Sequence, residues 1–204
     1  MYLINNVKIL EHQGQEPRSP KNHLFIQGFN SRMLNPTSYY FRVGNMYSTD
    51  RGESYYKLSD KNKILNIGPN EYVLVLSYES FYLSDRTFAI LGPSTDLQKS
   101  GLSLRYGQFI DPLFDGKLEV GIHNPFDEEI NLKLGDKLGK LCFFDISDTY
   151  PITSKRVSDE YAEKLIRRQK MQQKYGIPTG IYDEDVTAFA REQEAYREFD
   201  KDDD

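Results

Sequence analysis

The sequence predicts a mainly β protein with a helical extension at its C-terminal end. Two observations carry the first half of that reading. The apolar runs before residue 150 have the length of strands rather than helices, and Gly, Pro, Asn, Asp and Ser clusters separate them at close spacing. Short strands with turn residues between them are the pattern of a β-barrel or sandwich. The second half rests on a change of composition after Tyr150-Pro151, where strand-like runs give way to charges at helical spacing.

In chain order, Tyr2 to Leu10 reads as a short strand, and Glu11 to Asn22 as a Gly-, Gln-, Pro- and Ser-rich loop or mobile arm. Leu24-Phe25-Ile26 resumes apolar character, and Tyr39 to Gly44 is a strand closed by glycine. A polar hairpin-like region surrounds Asp50-Arg51-Gly52-Glu53. Ile64 to Ile67 forms a strand ended by Gly68-Pro69, and the apolar run Tyr72 to Leu76 follows. Phe81 to Leu83 and Thr87 to Leu91 flank the turn Ser84-Asp85-Arg86. A tight turn at Gly92-Pro93 leads into a short helical insert, and a hairpin around Asp111-Pro112 leads into Lys117 to Ile122. Turns at Asn124 to Asp127 and Gly135-Asp136 then bound Ile130 to Leu134 and Leu138 to Ile146.

Beyond the strands, Ser158 caps an expected helix with Asp159 and Glu160 in its first turn and Arg167, Arg168 and Lys170 later, the order the helix dipole favours. Gly176-Ile177-Pro178 ends it. A second helix is expected from Asp183, with Val186, Phe189, Ala190 and Tyr196 on one stripe, before the acidic end Asp200 to Asp204. The expected division is therefore an N-terminal strand and mobile arm over 1–35, a β-barrel over 36–151, and a helical C-terminal extension with an acidic tail over 152–204.

Composition excludes several functions. With 204 residues the chain can build one domain of roughly 150 residues plus appendages. A net charge of −5 argues against a nucleic-acid backbone as partner, because phosphate binding needs a cationic face. No run approaches the roughly 20 apolar residues of a membrane span, and Met-Tyr-Leu-Ile-Asn-Asn lacks the basic start of a signal peptide, so a cytoplasmic location is expected. The single cysteine, Cys142, reads as a small core residue in Leu141-Cys142-Phe143-Phe144. His12, His23 and His123 lack ligand spacing, and no metal site is expected.

The compact polar stretch from Gly92 to Gly121 is where chemistry is sought. Ser94 suits either a helix cap or a phosphate contact. Asp111 suits either a turn aspartate bonding the backbone ahead of Pro112 or a catalytic carboxylate.

These residues carry a resemblance. Pro36-Thr37-Ser38-Tyr39-Tyr40-Phe41-Arg42-Val43-Gly44 resembles the Pro-Ala-Ser-Val-Asp-Leu-Arg-Leu-Gly strand of dCTP deaminases, and Ile67 to Leu74 with Glu79 resembles their Pro-Gly-Glu strand and its later glutamate. Ile110-Asp111-Pro112-Leu113-Phe114-Asp115-Gly116 is similar to their Ile-Asp-Pro-Gly-Phe-x-Gly. Gly135-Asp136-Lys137-Leu138-Gly139-Lys140-Leu141-Cys142-Phe143 is similar to Gly-x-Lys-Ile-Gly-Gln-Leu-x-Phe. Lys174-Tyr175-Gly176 with Pro178 resembles the closing C-terminal segment. The ordered set over 36–146 resembles the dCTP deaminase and dUTPase superfamily. It implies a dUTPase-like distorted β-barrel or jelly-roll, a homotrimer with sites between subunits, and a deoxynucleotide ligand.

The departures define the expected function. The resemblance puts two arginines in the turn after the strand, where this chain has Pro93, Ser94, Thr95 and Gln98; the bidentate anion contacts of guanidinium are lost with them. It puts the general acid/base glutamate ten residues after Asp111, where this chain has Gly121, which can neither activate water nor protonate a leaving nitrogen. Glu119 lies two residues earlier, about 6.6 Å away on the same face, so only a bulge or a slipped register could bring it into place. Lys140 stands in place of the glutamine that reads the base, Tyr40 in place of a strand aspartate, and Phe114 where an aromatic meets the sugar. The candidate catalytic residues are thus Asp111 and Glu119, and the candidate ligand contacts Ser94, Thr95, Gln98, Phe114 and Lys140. Two functions follow. One is a divergent deoxynucleotide-binding or nucleotide-metabolism protein, which needs Mg²⁺ only if a dUTPase-like hydrolysis survives. The other is a non-catalytic trimeric module whose C-terminal helices dock a protein partner.

Overall fold

The computed structural model describes residues 1–15, 23–58, 61 and 63–147. They form β1 (Tyr2–Ile4), α1 (Asn6–Gln13), β2 (Leu24–Gln27), a 3-10 turn (Ser31–Met33), β3 (Leu34–Asn35), β4 (Ser38–Ser48), β5 (Tyr56–Lys57), β6 (Ile64–Ile67) and β7 (Tyr72–Leu83). After these come β8 (Thr87–Pro93), α2 (Thr95–Ser100), β9 (Ser103–Arg105), β10 (Phe109–Ile110), β11 (Asp115–His123), β12 (Ile130–Lys133) and β13 (Lys137–Asp145). The helices expected after residue 157 lie outside the described residues.

Alternation decides which face each strand buries. On β13, Leu141, Phe143 and Asp145 point inward while Lys140, Cys142 and Phe144 point out, and on β8 Thr87, Ala89 and Leu91 alternate with Phe88 and Ile90. Cys142 is therefore half-buried on the outer face and not part of the core expected for it. The inward residues meet around Phe81, whose ring lies 6.4 Å from both Tyr39 and Phe143. Phe41, Leu24, Ile26, Leu83 and Ile122, all buried, complete the apolar interior. Burying side chains of this size stabilises by about 1.5–3 kcal/mol each.

The strands pair antiparallel. Eleven share a sheet whose main path is β10-β8-β13-β4-β7-β11-β9, and β6 pairs with β12. Register shifts between Val43 and Tyr47, Lys117 and Glu119, and Lys137 and Gly139 add local bends that curl this sheet. Gly44 sits at the first of them because a Cβ there would lie 2.7 Å from the Ser77 carbonyl oxygen.

Two elements differ from the sequence reading. Tyr2 to Leu10 is not one strand: β1 stops at Ile4, Asn5 accepts the Lys8 N–H through its side chain at 3.0 Å, and α1 begins. β1 pairs with β13 and β2 with β7, so these N-terminal strands belong to the sheet. β7 is one strand of 12 residues where two were expected. Ser77 and Glu79 are hidden at its centre because each has partners. Ser77 Oγ donates to the Glu79 carbonyl at 2.6 Å and accepts the Leu118 N–H at 2.9 Å, and Glu79 is wholly buried beside Arg42.

Candidate functional site

The turn after β8 is built around Ser94. Its N–H donates to the Leu138 carbonyl at 3.0 Å, and its hydroxyl accepts the Leu97 N–H at 3.0 Å and donates to the Lys137 carbonyl at 2.8 Å. Fully buried and saturated, Ser94 is the N-cap of α2 and its bridge to β13. Thr95 and Gln98 are exposed on that helix. Gly101 closes it with φ 78°, a conformation glycine adopts without a Cβ penalty, and the Phe126 ring covers it. Lys140 is exposed on β13, opposite Gly92 on one side and Tyr40 on the other, while the ammonium of Lys137 lies 4.8 Å from the centre of the Tyr40 ring.

Asp111 lies elsewhere. β10 pairs Phe109 with Ile90 and Ile110 with Ala89, which puts the Asp111 turn near the start of β8, whereas Ser94 follows its end. Five strand residues separate Ala89 from Ser94, about 16 Å. In this turn Leu113 has φ 64°, an αL conformation that is unusual for leucine, and the Leu83 N–H donates to the Phe114 carbonyl at 2.9 Å. The Phe114 side chain is half-buried and packs against the core.

β11 then runs away from the Asp111 turn. A bulge follows Lys117, whose Nζ donates to the Ser77 and Tyr78 carbonyls at 2.8 and 2.5 Å. Burial lowers the Lys117 amine to about 8, and the charge of Glu79 opposes the shift. Beyond the bulge, Glu119 pairs with Leu76 and Gly121 with Leu74. The bulge therefore precedes both residues and leaves them at successive same-face positions. The Glu119 carboxylate accepts the hydroxyl of buried Tyr55. Gly121 lies between Leu74 and Arg105 on the flanking strands, and the Tyr72 ring lies over it. From Asp115 to Gly121 the strand covers roughly 20 Å. Within one chain, then, the candidates fall into three groups: Ser94, Thr95 and Gln98 at α2 with Lys140 on the adjoining part of β13, Asp111 with Phe114 at the hairpin, and Glu119 near Gly121.

Residues to which the sequence reading gave no role at the site do much of the positioning. Glu79 accepts the Arg42 Nε–H at 2.6 Å, the Arg42 backbone N–H at 2.9 Å and the Tyr39 hydroxyl at 3.4 Å. Burial, then the Glu79 charge, raises the Tyr39 phenol far above its ordinary range, so it stays a donor. Tyr55 and Tyr72 are phenols whose partners are distant in sequence, so no local motif marks them. Among the described residues no group of three His, Cys, Asp or Glu side chains is placed to hold a metal ion, and no helix is long and apolar enough to cross a membrane.

The curled antiparallel sheet with its split polar site defines a class, and comparison with known proteins identifies the family. A protein-family profile described as dCTP deaminase-like matches residues 9–146. The dCTP deaminase of Thermococcus kodakarensis is 28% identical over 127 residues, 60% of this chain and 77% of that protein. The dUMP-forming dCTP deaminase of Tropheryma whipplei is 30% identical over 137 residues, 60% of this chain and 70% of that protein. The crystal structure of 2′-deoxycytidine 5′-triphosphate deaminase from Agrobacterium tumefaciens has the same fold, with a TM-score of 0.56 and 15% identity; the match covers 71% of this chain and 48% of that one. The chain belongs to the dCTP deaminase-like family.

Proposed function

We propose that this chain is a deoxynucleotide-binding member of its family that does not deaminate dCTP. The observation that carries the reading is the pair Gly121 and Tyr72. Hydrolytic deamination at C4 of cytosine needs a group that takes a proton from water and returns it to the leaving nitrogen. At the position where the resemblance puts that group there is no side chain, and a tyrosine ring fills the space above it. Glu119 is not a substitute, because it lies about 6.6 Å along the strand and its carboxylate is engaged by Tyr55.

Ligand sites completed between copies of a homotrimer are part of the same proposal. One deoxynucleotide cannot reach both the Asp111 turn and the Gly121 end of β11 in a single copy, since roughly 20 Å of strand separates them. A neighbouring copy can supply the second half. Asp111, Phe114, Lys140, Thr95 and Gln98 are the contacts assigned to the ligand. The described residues form no cage for Mg²⁺, so that ion would arrive bound to the ligand's phosphates.

A second reading, a non-catalytic protein-interaction module, is favoured by one other observation. Phe144, Phe88 and Phe109 form a row across the outer face of β13, β8 and β10, with ring centres 5.1 and 6.4 Å apart, and Phe109 is 65% exposed. An apolar row of this kind suits a protein surface. The discriminating experiment measures binding and turnover of dCTP, dUTP, dCMP and dUMP with and without Mg²⁺. Saturable binding without ammonia release supports the first reading. Deamination of dCTP overturns it, and absence of any binding leaves the interaction module.

A further inference from the structure

We propose that the cleft between the Gly28–Ser31 loop and the Arg42–Tyr78 pair is a second ligand site, one that takes an oxyanion, the phosphate or carboxylate group of a small molecule. The cleft has a volume of about 550 Å³, opens to solvent, and is lined by Gly28, Phe29, Asn30, Ser31, Arg42 and Tyr78. Arg42 is held from three sides. Its Nε donates to Glu79 at 2.6 Å, its Nη2 donates to the Gly28 carbonyl at 2.9 Å, and its guanidinium carbon lies 4.4 Å from the centre of the Tyr78 ring. Its Nη1 donates to no acceptor among the described residues, so an N–H edge of a largely buried and immobilised guanidinium remains at the wall of an open cleft. A planar fork fixed in this way suits the two oxygens of a carboxylate or phosphate. Little rotamer freedom remains to be lost on binding.

The other polar groups agree in sign. Asn30 uses its side-chain oxygen on the Arg32 N–H at 3.0 Å, which leaves the amide nitrogen as a donor, and Ser31 is exposed beside it. No carboxylate lines the cleft. Glu79 lies beneath it, fully buried, and its single charge is shared between Arg42 and the nearby ammonium of Lys117, so the group of three carries one net positive charge. The site shares no residue with the Ser94, Asp111 or Gly121 regions, and it stands whether or not a deoxynucleotide binds there.

The test follows the side-chain Nε–H resonance of Arg42 in the full chain during titration with inorganic phosphate, and separately with benzoate, at constant ionic strength. The expected result is a saturable shift at ligand concentrations on the order of 1 mM for at least one of the two probes. Ser31→Glu puts a carboxylate at the cleft mouth without removing a contact of the fold; it should weaken binding about tenfold or more and leave the melting temperature unchanged. Saturation by phosphate alone identifies a phosphate group as the ligand, and saturation by benzoate alone identifies a carboxylate on a ring. No saturable Arg42 shift with either probe overturns the proposal, as does equal affinity in Ser31→Glu.

Discussion

Tyr72 lies across the backbone of Gly121: a Cβ added there would come within 2.6 and 2.7 Å of its Cε2 and Cζ atoms. The two positions are diagonal neighbours on adjacent strands, since Tyr72 pairs with His123 and Leu74 with Gly121. The ring thus belongs to β7 yet fills the space of a β11 side chain.

Gly121→Ala should therefore destabilise the protein by about 1 kcal/mol, the low end of an overpacking cost, because the partly exposed Tyr72 ring has to shift. In a Tyr72→Ala background the same substitution should cost little. A double-mutant cycle in urea checks the coupling, and additive costs would show that the ring moves aside freely.

The Leu113 turn makes a different prediction. At φ 64° a leucine carries strain of about 1–2 kcal/mol that glycine does not. Leu113→Ala and Leu113→Gly both lose the half-buried side chain, but only the glycine variant loses the strain. The glycine variant should be the more stable by about 1 kcal/mol, the reverse of the usual order. Thermal melts of the two variants decide it.

Arg42 and Glu79 should fail singly and tolerate joint replacement. Arg42→Met removes the guanidinium hydrogen-bonded to the buried Glu79 carboxylate and leaves only the Lys117 ammonium nearby, at a cost of about 3 kcal/mol. Arg42→Met with Glu79→Leu should recover most of that, and denaturant midpoints of the three variants measure it.

How much of this could be read from the chain depended on whether a signal was local. β8 and β13 were legible as strands because each is a short apolar run bounded by turn residues, but the buried face of β13 was not, since Cys142 sits among apolar neighbours and yet lies on the outer face. β7 was not legible as one strand, because Ser77 and Glu79 look like a break until Leu118 and Arg42, far away in sequence, satisfy them. α1 was missed because only Ile9 of its apolar residues is buried while Val7 and Leu10 are exposed, which leaves no helical stripe to recognise. In the site, the alternative roles of Ser94 followed from its place before a helix, and the structure makes it the cap. The hold of Tyr55 on Glu119 and the cover of Tyr72 over Gly121 are contacts across strands, invisible without the register.

Acid should weaken the closure between β1 and β13 through Asp145. Burial alone would raise this carboxyl, but bonds from Ser147, Tyr2 and His23 outweigh it and hold it below the usual aspartate value. A carboxylate whose folded pKa is depressed contributes stability that is fully present above its unfolded pKa and lost as the pH falls through the folded one. The wild type should therefore lose stability relative to Asp145→Asn as the pH drops below about 4. Parallel pH dependences for the two proteins in denaturant unfolding would contradict this.

The wild-type chain should release no ammonia from dCTP above background. A positioned acid–base group typically contributes about 10²–10⁴ in rate, and charge stabilisation by a fixed donor about 10²–10³; on the proposed reading, which puts the glutamate at Gly121 and the arginines at Pro93 and Gln98, both kinds of assistance are absent together. Gly121→Glu alone should not restore activity. The new side chain would have to displace the Tyr72 ring, and Pro93 and Gln98 would still offer no guanidinium to the substrate. The competing outcome runs through Glu119, whose carboxylate would need to leave Tyr55. It predicts ammonia release that rises in Tyr55→Phe, where Glu119 is freed, and vanishes in Glu119→Gln. Background rates in wild type, Tyr55→Phe and Glu119→Gln alike, measured with dCTP at saturating concentration, are the expected result; release that follows the Glu119 carboxylate would assign it the chemistry and restore the deaminase reading.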